Sequence, residues 1–134
     1  MTGETDLARL LAGMRPERRP GSYVFATLPD GAVPAGLDPA MRFREAEGTT
    51  LILTGDEAAR AGLDGAFPCG WITLAVHSSL SAVGFLAAVT ARLAEAGIAV
   101  NAVSAFHHDH LFVPVARVDE TMALLRDLAG PSAP

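Results

Sequence analysis

From Trp71 to Pro114 the chain reads WITLAVHSSLSAVGFLAAVTARLAEAGIAVNAVSAFHHDHLFVP, and the spacing of its apolar residues changes from segment to segment. Trp71 to Val76 is rich in β-branched and aromatic residues, which predicts a strand. Ser78 and Ser79 then offer hydroxyl caps for a run starting at Leu80. Within that run Leu80, Val83, Leu86, Ala87, Thr90, Leu93 and Ala94 recur at three- and four-residue steps, while Arg92 and Glu95 fall elsewhere. With Gly97 standing where a C-terminal cap belongs, this predicts a helix with one buried face. Ile98 to Ser104 reads as a second strand, His107 to His110 as a polar hairpin turn, Leu111 to Val115 as the returning strand and Asp119 to Leu128 as a closing helix.

The first half alternates less cleanly. Asp6 to Leu11 predicts a short helix, Tyr23 to Leu28 a strand, and Met41 to Glu45 with Thr49 to Thr54 a hairpin turned at Glu47-Gly48. Asp56 is expected to cap a short helix running through Ala61, before Gly62. PDGAVPAGLDP, with three prolines, is a loop, and RPERRPG reads as a solvated linker although its Arg15, Arg18 and Arg19 form a basic cluster. Trp71, Phe106 and Phe112 have the spacing of strand residues that fill a core.

The stretch VHSSLSAVGFLAAVTARLAEAGIAVNAVSAFHHDHLFVP, with its β-α-β-β order, resembles the ACT domain. It is similar to the second half of small bacterial tandem-ACT proteins, a group related by fold to the ACT pairs of aspartokinases and to the cytosolic arginine sensor. The resemblance extends over Tyr23 to Leu28 and Phe43 to Leu128. It implies an α+β, ferredoxin-like fold of the βαββαβ type, as tandem ACT halves at 1–66 and 67–134, with antiparallel sheets and helices on one face. It also implies a regulatory or sensor module that binds an amino acid or similar small metabolite without chemistry on it. The C-terminal half ends on a helix and lacks a fourth strand, so the two halves are expected to complete each other, with Tyr23 to Leu28 the exchanged strand.

Composition narrows the function classes. At 134 residues and 50% hydrophobic, the chain can bury one core or two small half-cores. A net charge of −5 with ten scattered basic residues argues against nucleic acid as a partner. The absence of lysine removes Schiff-base chemistry, pyridoxal phosphate attachment and a P-loop, so no cofactor is expected. Cys69 is the only cysteine, which excludes an intramolecular disulfide and fits a reducing, cytoplasmic setting; next to Pro68 and Gly70 it is also a candidate reactive thiol. The longest uncharged stretch that could be helical, Ser78 to Ala91, is too short to span a bilayer, so no membrane partner is expected. An open sheet edge and face predict a homodimer, with a regulated protein as a further partner.

The candidate site follows from the joints between elements. Amides near Ser79 to Ser81, at the start of a helix, make a pocket for an amino acid's carboxylate; equally, Ser78 or Ser79 is an ordinary cap. Gly84 inside the expected helix marks close approach of a ligand or of a packed strand. Phe85 lies off the apolar stripe, toward the side where ligands sit in ACT pairs, and Asn101 presents an amide beside Val103. The ligand-binding set is thus His77, Ser78, Ser79, Leu80, Val83, Gly84, Phe85, Asn101 and Val103. The alternative is a small metal-dependent enzyme using His107, His108, Asp109 and His110. Consecutive residues of an extended chain point to alternate sides, so a turn in which Asp109 accepts backbone hydrogen bonds is the preferred reading of those four.

Overall fold

The computed structural model describes residues 3–130, which pack as two compact units. One is the continuous segment Gly21–Cys69, and the other is formed by the chain on either side of it, up to Pro20 and from Gly70. This division differs from the expected one at 66/67, because residues 3–20 pack with the C-terminal elements.

In that flanking unit the elements are α1 (Leu7–Gly13), β1 (Arg15–Arg18), the later part of β5 (Ala66–Ala75), α3 (Phe85–Glu95), β6 (Asn101–Ser104), β7 (Asp109–Pro114) and α4 (Val118–Ala129). The strand order is β1-β5-β7-β6. Starting from β5, the chain therefore supplies strand, helix, strand, strand and helix of a ferredoxin-like unit. The last strand comes from β1, antiparallel to β5 with Arg15 opposite Ala75 and Arg18 opposite Ile72. The missing strand is thus the RPER segment expected to be linker, while Tyr23 to Leu28 pairs within the other unit. Pro16 is compatible with this place because β1 pairs along one side only.

The helices gather over one side of the sheet. Ile72, Leu74, Leu111 and Val113 from the strands meet Phe85, Val89 and Leu93 of α3, Val118, Met122 and Leu125 of α4, and Leu10 at α1 in one buried cluster. Asp6 caps α1 by accepting the Arg9 amide at 3.0 Å. Arg117 reaches from the start of α4 to the carbonyls of Ala96 (3.0 Å) and Gly97 (3.4 Å), closing the C-terminal end of α3 where a cation opposes the helix dipole.

Two expectations about α3 fail. The helix begins at Phe85, not Leu80, and its buried stripe is Phe85, Val89 and Leu93. Leu80 and Val83 are 63% and 84% exposed, in the loop before it. Gly84 is the residue flanking the helix, with φ +94°, a conformation that only glycine adopts without strain, so it neither interrupts a helix nor marks overcrowding. Phe85 is 2% exposed and belongs to the core.

The segment Gly21–Cys69 holds β2 (Tyr23–Leu28), β3 (Met41–Glu45), β4 (Gly48–Thr54), α2 (Gly55–Arg60) and the first residues of β5. Its order is β3-β4-β2-β5, all antiparallel. Counted from β2, this is the same 4-1-3-2 arrangement as in the flanking unit, with the proline-rich loop 29–40 in place of the first helix. Ala26, Leu28, Leu51, Leu53 and Ala58 form its core, packed by Val24, Val33, Leu37 and Leu63. α2 is capped by Thr54, whose hydroxyl accepts the Glu57 amide at 3.1 Å, and not by Asp56, which lies in the first turn. Glu57 in turn accepts the Asp38 amide at 2.9 Å, tying the loop to the helix.

Candidate ligand site

Beyond Ala75 the chain leaves the sheet and is held by the N-terminal segment. The Glu4 amide donates to the His77 carbonyl at 2.8 Å, and the Ser79 amide donates to the Glu4 carbonyl at 2.9 Å. Ser79 is buried; its hydroxyl accepts the Ser81 amide at 3.1 Å and its carbonyl accepts that of Ala82 at 3.0 Å. The amides at 79 and 81 are therefore engaged, contrary to the carboxylate pocket expected there, and neither serine caps α3. The uncapped donors of a helix start belong instead to the first turn of α3, where Gly84 supplies no capping side chain.

That turn opens onto a cavity of about 190 Å³ lined by Ser78, Ser79, Leu80, Ala82, Phe85, Leu86, Ser104, Ala105 and Asp109. The loop and α3 build one wall, and the β6–β7 hairpin builds the other. Asp109 is only 9% exposed, and its Oδ1 accepts the Ser104 hydroxyl at 2.6 Å. Its Oδ2 has no partner among the described residues, and none of their buried side-chain oxygens is both closed off and unsatisfied. Oδ2 is therefore not closed off, and Asp109 is among the residues that line the cavity.

Of the expected ligand residues, Ser78, Ser79, Leu80 and Phe85 line this cavity. His77, Val83, Gly84, Asn101 and Val103 do not. Asn101 pairs with Phe112 and Val103 with His110, so both side chains lie on the sheet face opposite Ala102 and Ser104. Asn101 is also exposed and starts its strand instead of interrupting one. The sequence reading missed Ala82, Leu86, Ser104, Ala105 and Asp109. A signal for Asp109 existed: Ser104 and Asp109 are partners across a short hairpin, on the face that alternation assigns to the helix side.

The four residues 107–110 disperse. The turn closes with the Ala105 amide on the His108 carbonyl at 3.0 Å, and Asp109 accepts a hydroxyl, not the backbone amides expected of it. His108 Nδ1 donates to the Val76 carbonyl at 3.2 Å. The His107 ring lies 5.8 Å from that of His77 and 5.0 Å from Phe106, which is 64% exposed and so does not fill the core. His110 turns to the other sheet face, where its Nδ1 accepts from Trp71 Nε1 at 3.0 Å and lies 3.1 Å from the Thr73 hydroxyl. Burial, then His108 and Arg19, hold its imidazole below the ordinary histidine range, against the opposing pull of Asp109. The Arg19 guanidinium sits 4.5 Å above the Trp71 ring. Among the described residues no group of three or more His, Cys, Asp or Glu side chains could hold a metal ion. No helix among them is long and apolar enough to cross a membrane.

An ACT domain family model matches residues 2–70, and a second one matches residues 66–127. The chain belongs to the ACT domain family. A solved Vibrio cholerae protein of unknown function, described as a possible transport protein, is 40% identical to this ACT protein; the match covers 96% of this chain and 99% of that one, with a TM-score of 0.83. An Agrobacterium tumefaciens protein shares the fold at a TM-score of 0.74, with 22% identity over 87% of this chain and 89% of its own. The regulatory subunit of aspartate kinase from Thermus flavus shares it at 0.66, with 8% identity over 85% and 96% of the two chains. No curated protein matches the chain significantly.

Proposed function

We propose that this ACT protein is a regulatory module that binds a free amino acid in the cavity between the 76–84 loop, α3 and the β6–β7 hairpin, and that it performs no chemistry on that ligand. The observation that carries the reading is Asp109, a carboxylate nine-tenths buried that lines the cavity, with one oxygen held by Ser104 and no partner for the other among the described residues. A buried carboxylate without a cationic partner calls for a cation, and an α-ammonium group supplies one. The uncapped first turn of α3 stands ready for the α-carboxylate of the same ligand. Leu80, Ala82, Phe85 and Leu86 leave an apolar wall for the side chain, and no Arg or His lines the cavity, so a short uncharged side chain is favoured.

Family membership supports the class of activity, since ACT domains generally mediate small-molecule regulation. In this reading occupancy is passed on to a regulated partner protein, and the expected homodimer and cytoplasmic location belong to the same proposal. The test is a thermal-shift screen of the free amino acids on intact protein, followed by calorimetry. A ligand at about one hundred times its Kd stabilises the native state by about 2.7 kcal/mol, a shift well within range of the method. The reading fails if no amino acid binds at or below about millimolar concentration.

A further inference from the structure

The two compact units share a strand order, and each has a concavity in the corresponding place. In both, the strand in first position runs into a long loop, residues 29–40 after β2 and 76–84 after β5, and a hairpin joins the second and third strands. In Gly21–Cys69 the corner between loop and hairpin encloses about 350 Å³, bordered by Asp30 and Gly31 from the loop and by Arg42, Arg44, Glu45 and Thr49 from the β3–β4 hairpin. We propose that this corner is a second binding site, for a small dianion such as a dicarboxylate or a phosphate group, held by the guanidinium groups of Arg42 and Arg44. It lies beyond the amino-acid reading and shares no residue with that cavity.

Arg42 and Arg44 alternate along β3 and pair with Leu51 and Thr49, so both side chains rise from the same face of the hairpin. Their Cα atoms are two strand residues, about 6.6 Å, apart. Neither guanidinium has an ion-pair or hydrogen-bond partner among the described residues. Two acids, Asp30 and Glu45, also line the corner, but neither is within ion-pair distance of a guanidinium: the Glu45 carboxylate accepts the Thr50 hydroxyl, and that of Asp30 accepts the Ala32 amide at 3.1 Å. Two like charges side by side with no direct ion pair repel, and an oxyanion between them relieves that repulsion while matching the planar fork of each guanidinium. The loop side is drawn in close: Gly31 has φ +76°, and a Cβ on it would stand 3.4 Å from the hydroxyl of the buried Thr49. Protection of an edge strand needs only a charge of either sign. It does not require two arginines on one face of a chain whose net charge is −5.

The experiment is an amide NMR titration of the intact ¹⁵N-labelled protein with sodium phosphate and, separately, sodium malonate, each against sodium chloride at matched ionic strength. Saturable shifts confined to Gly31, Arg44, Gly48 and Thr49 are expected from at least one of the two, and the one that saturates identifies the ligand as phosphate or dicarboxylate. Arg42→Gln and Arg44→Gln, both exposed positions, should each weaken binding about tenfold, and Arg126→Gln on α4 should leave it unchanged. The proposal is overturned if neither anion saturates, or if both arginine variants bind within about twofold of the parent. Shifts at residues 79–86 and 104–109 report the amino-acid cavity instead, so the two readings succeed or fail separately.

Discussion

Replacing Asp109 by Asn keeps shape and hydrogen-bonding capacity while removing the charge on which ammonium recognition depends. In the free protein the change converts a charge-assisted Ser104–Asp109 bond of 2.6 Å into a neutral one, a loss of about 1 kcal/mol. Part of that is offset, because an amide is easier to bury than a carboxylate. The melting temperature should therefore fall by no more than about 4 °C. Binding should suffer far more. Deleting one partner of a desolvated charge pair costs about 2 kcal/mol or more, which is about thirty-fold in Kd. The decisive measurement is a calorimetric cycle that crosses wild type and Asp109→Asn with the bound amino acid and its deaminated analogue. Wild type should lose affinity strongly when the amino group is removed, and the variant should barely distinguish the two ligands. If the variant binds the amino acid as tightly as wild type, or if deamination weakens both proteins equally, Asp109 does not read the ammonium and the orientation argued for the cavity is wrong.

Other predictions concern the fold around the site. Gly84→Ala forces a side chain onto a residue at φ +94° and should destabilise by about 1–2 kcal/mol in urea unfolding; an unchanged midpoint would show that the loop relaxes freely. Because the His110 imidazole is held below its ordinary range, the unfolded chain takes up a proton first as pH falls. Stability is then complete above about pH 6.5 and lost below it, and His110→Gln should flatten the melting temperature between pH 7 and 5. Cys69 is fully buried, its thiol donating to the Tyr23 carbonyl at 3.3 Å, and burial pushes its pKa up to about 11. It should resist a thiol reagent at pH 8 in the native protein and react at once in denaturant; rapid native labelling would refute that environment.

Where period and punctuation agree, the elements could be read from residues alone. Tyr23 to Leu28 and Met41 to Glu45 are strands over the residues the alternation indicated, and the helix after Val118 was framed by Asp119 and Leu128. β1 was illegible because its residues carry charge and a proline, features permitted by its position on the edge and not by its composition. The start of α3 was misplaced for a different reason. Leu80 and Val83 continue a helical spacing backward through a loop, and nothing in that spacing records that Gly84 turns to positive φ. Four of the nine residues lining the site, Ser78, Ser79, Leu80 and Ala82, lie in the loop between Val76 and Gly84. The carboxylate that gives it chemistry stood inside HHDH, where neighbouring imidazoles drew the eye to metals, and only the Ser104–Asp109 pairing shows which way it faces.

The family models meet near residue 70, yet the chain cannot be divided there without loss. A fragment starting at 67 would carry β5 without the strand that lies beside Ile72 to Ala75, leaving a raw ladder edge open to any passing strand. The excisable part is the middle. Tyr23 and Cys69 are ladder partners, so Gly21–Cys69 enters and leaves at neighbouring points, the geometry of a guest inserted into a host. During synthesis the guest is complete while the host has released only β1 and α1. The host's sheet must then wait for β7, emerging last, before the N-terminal strand and the C-terminal hairpin lie in one sheet.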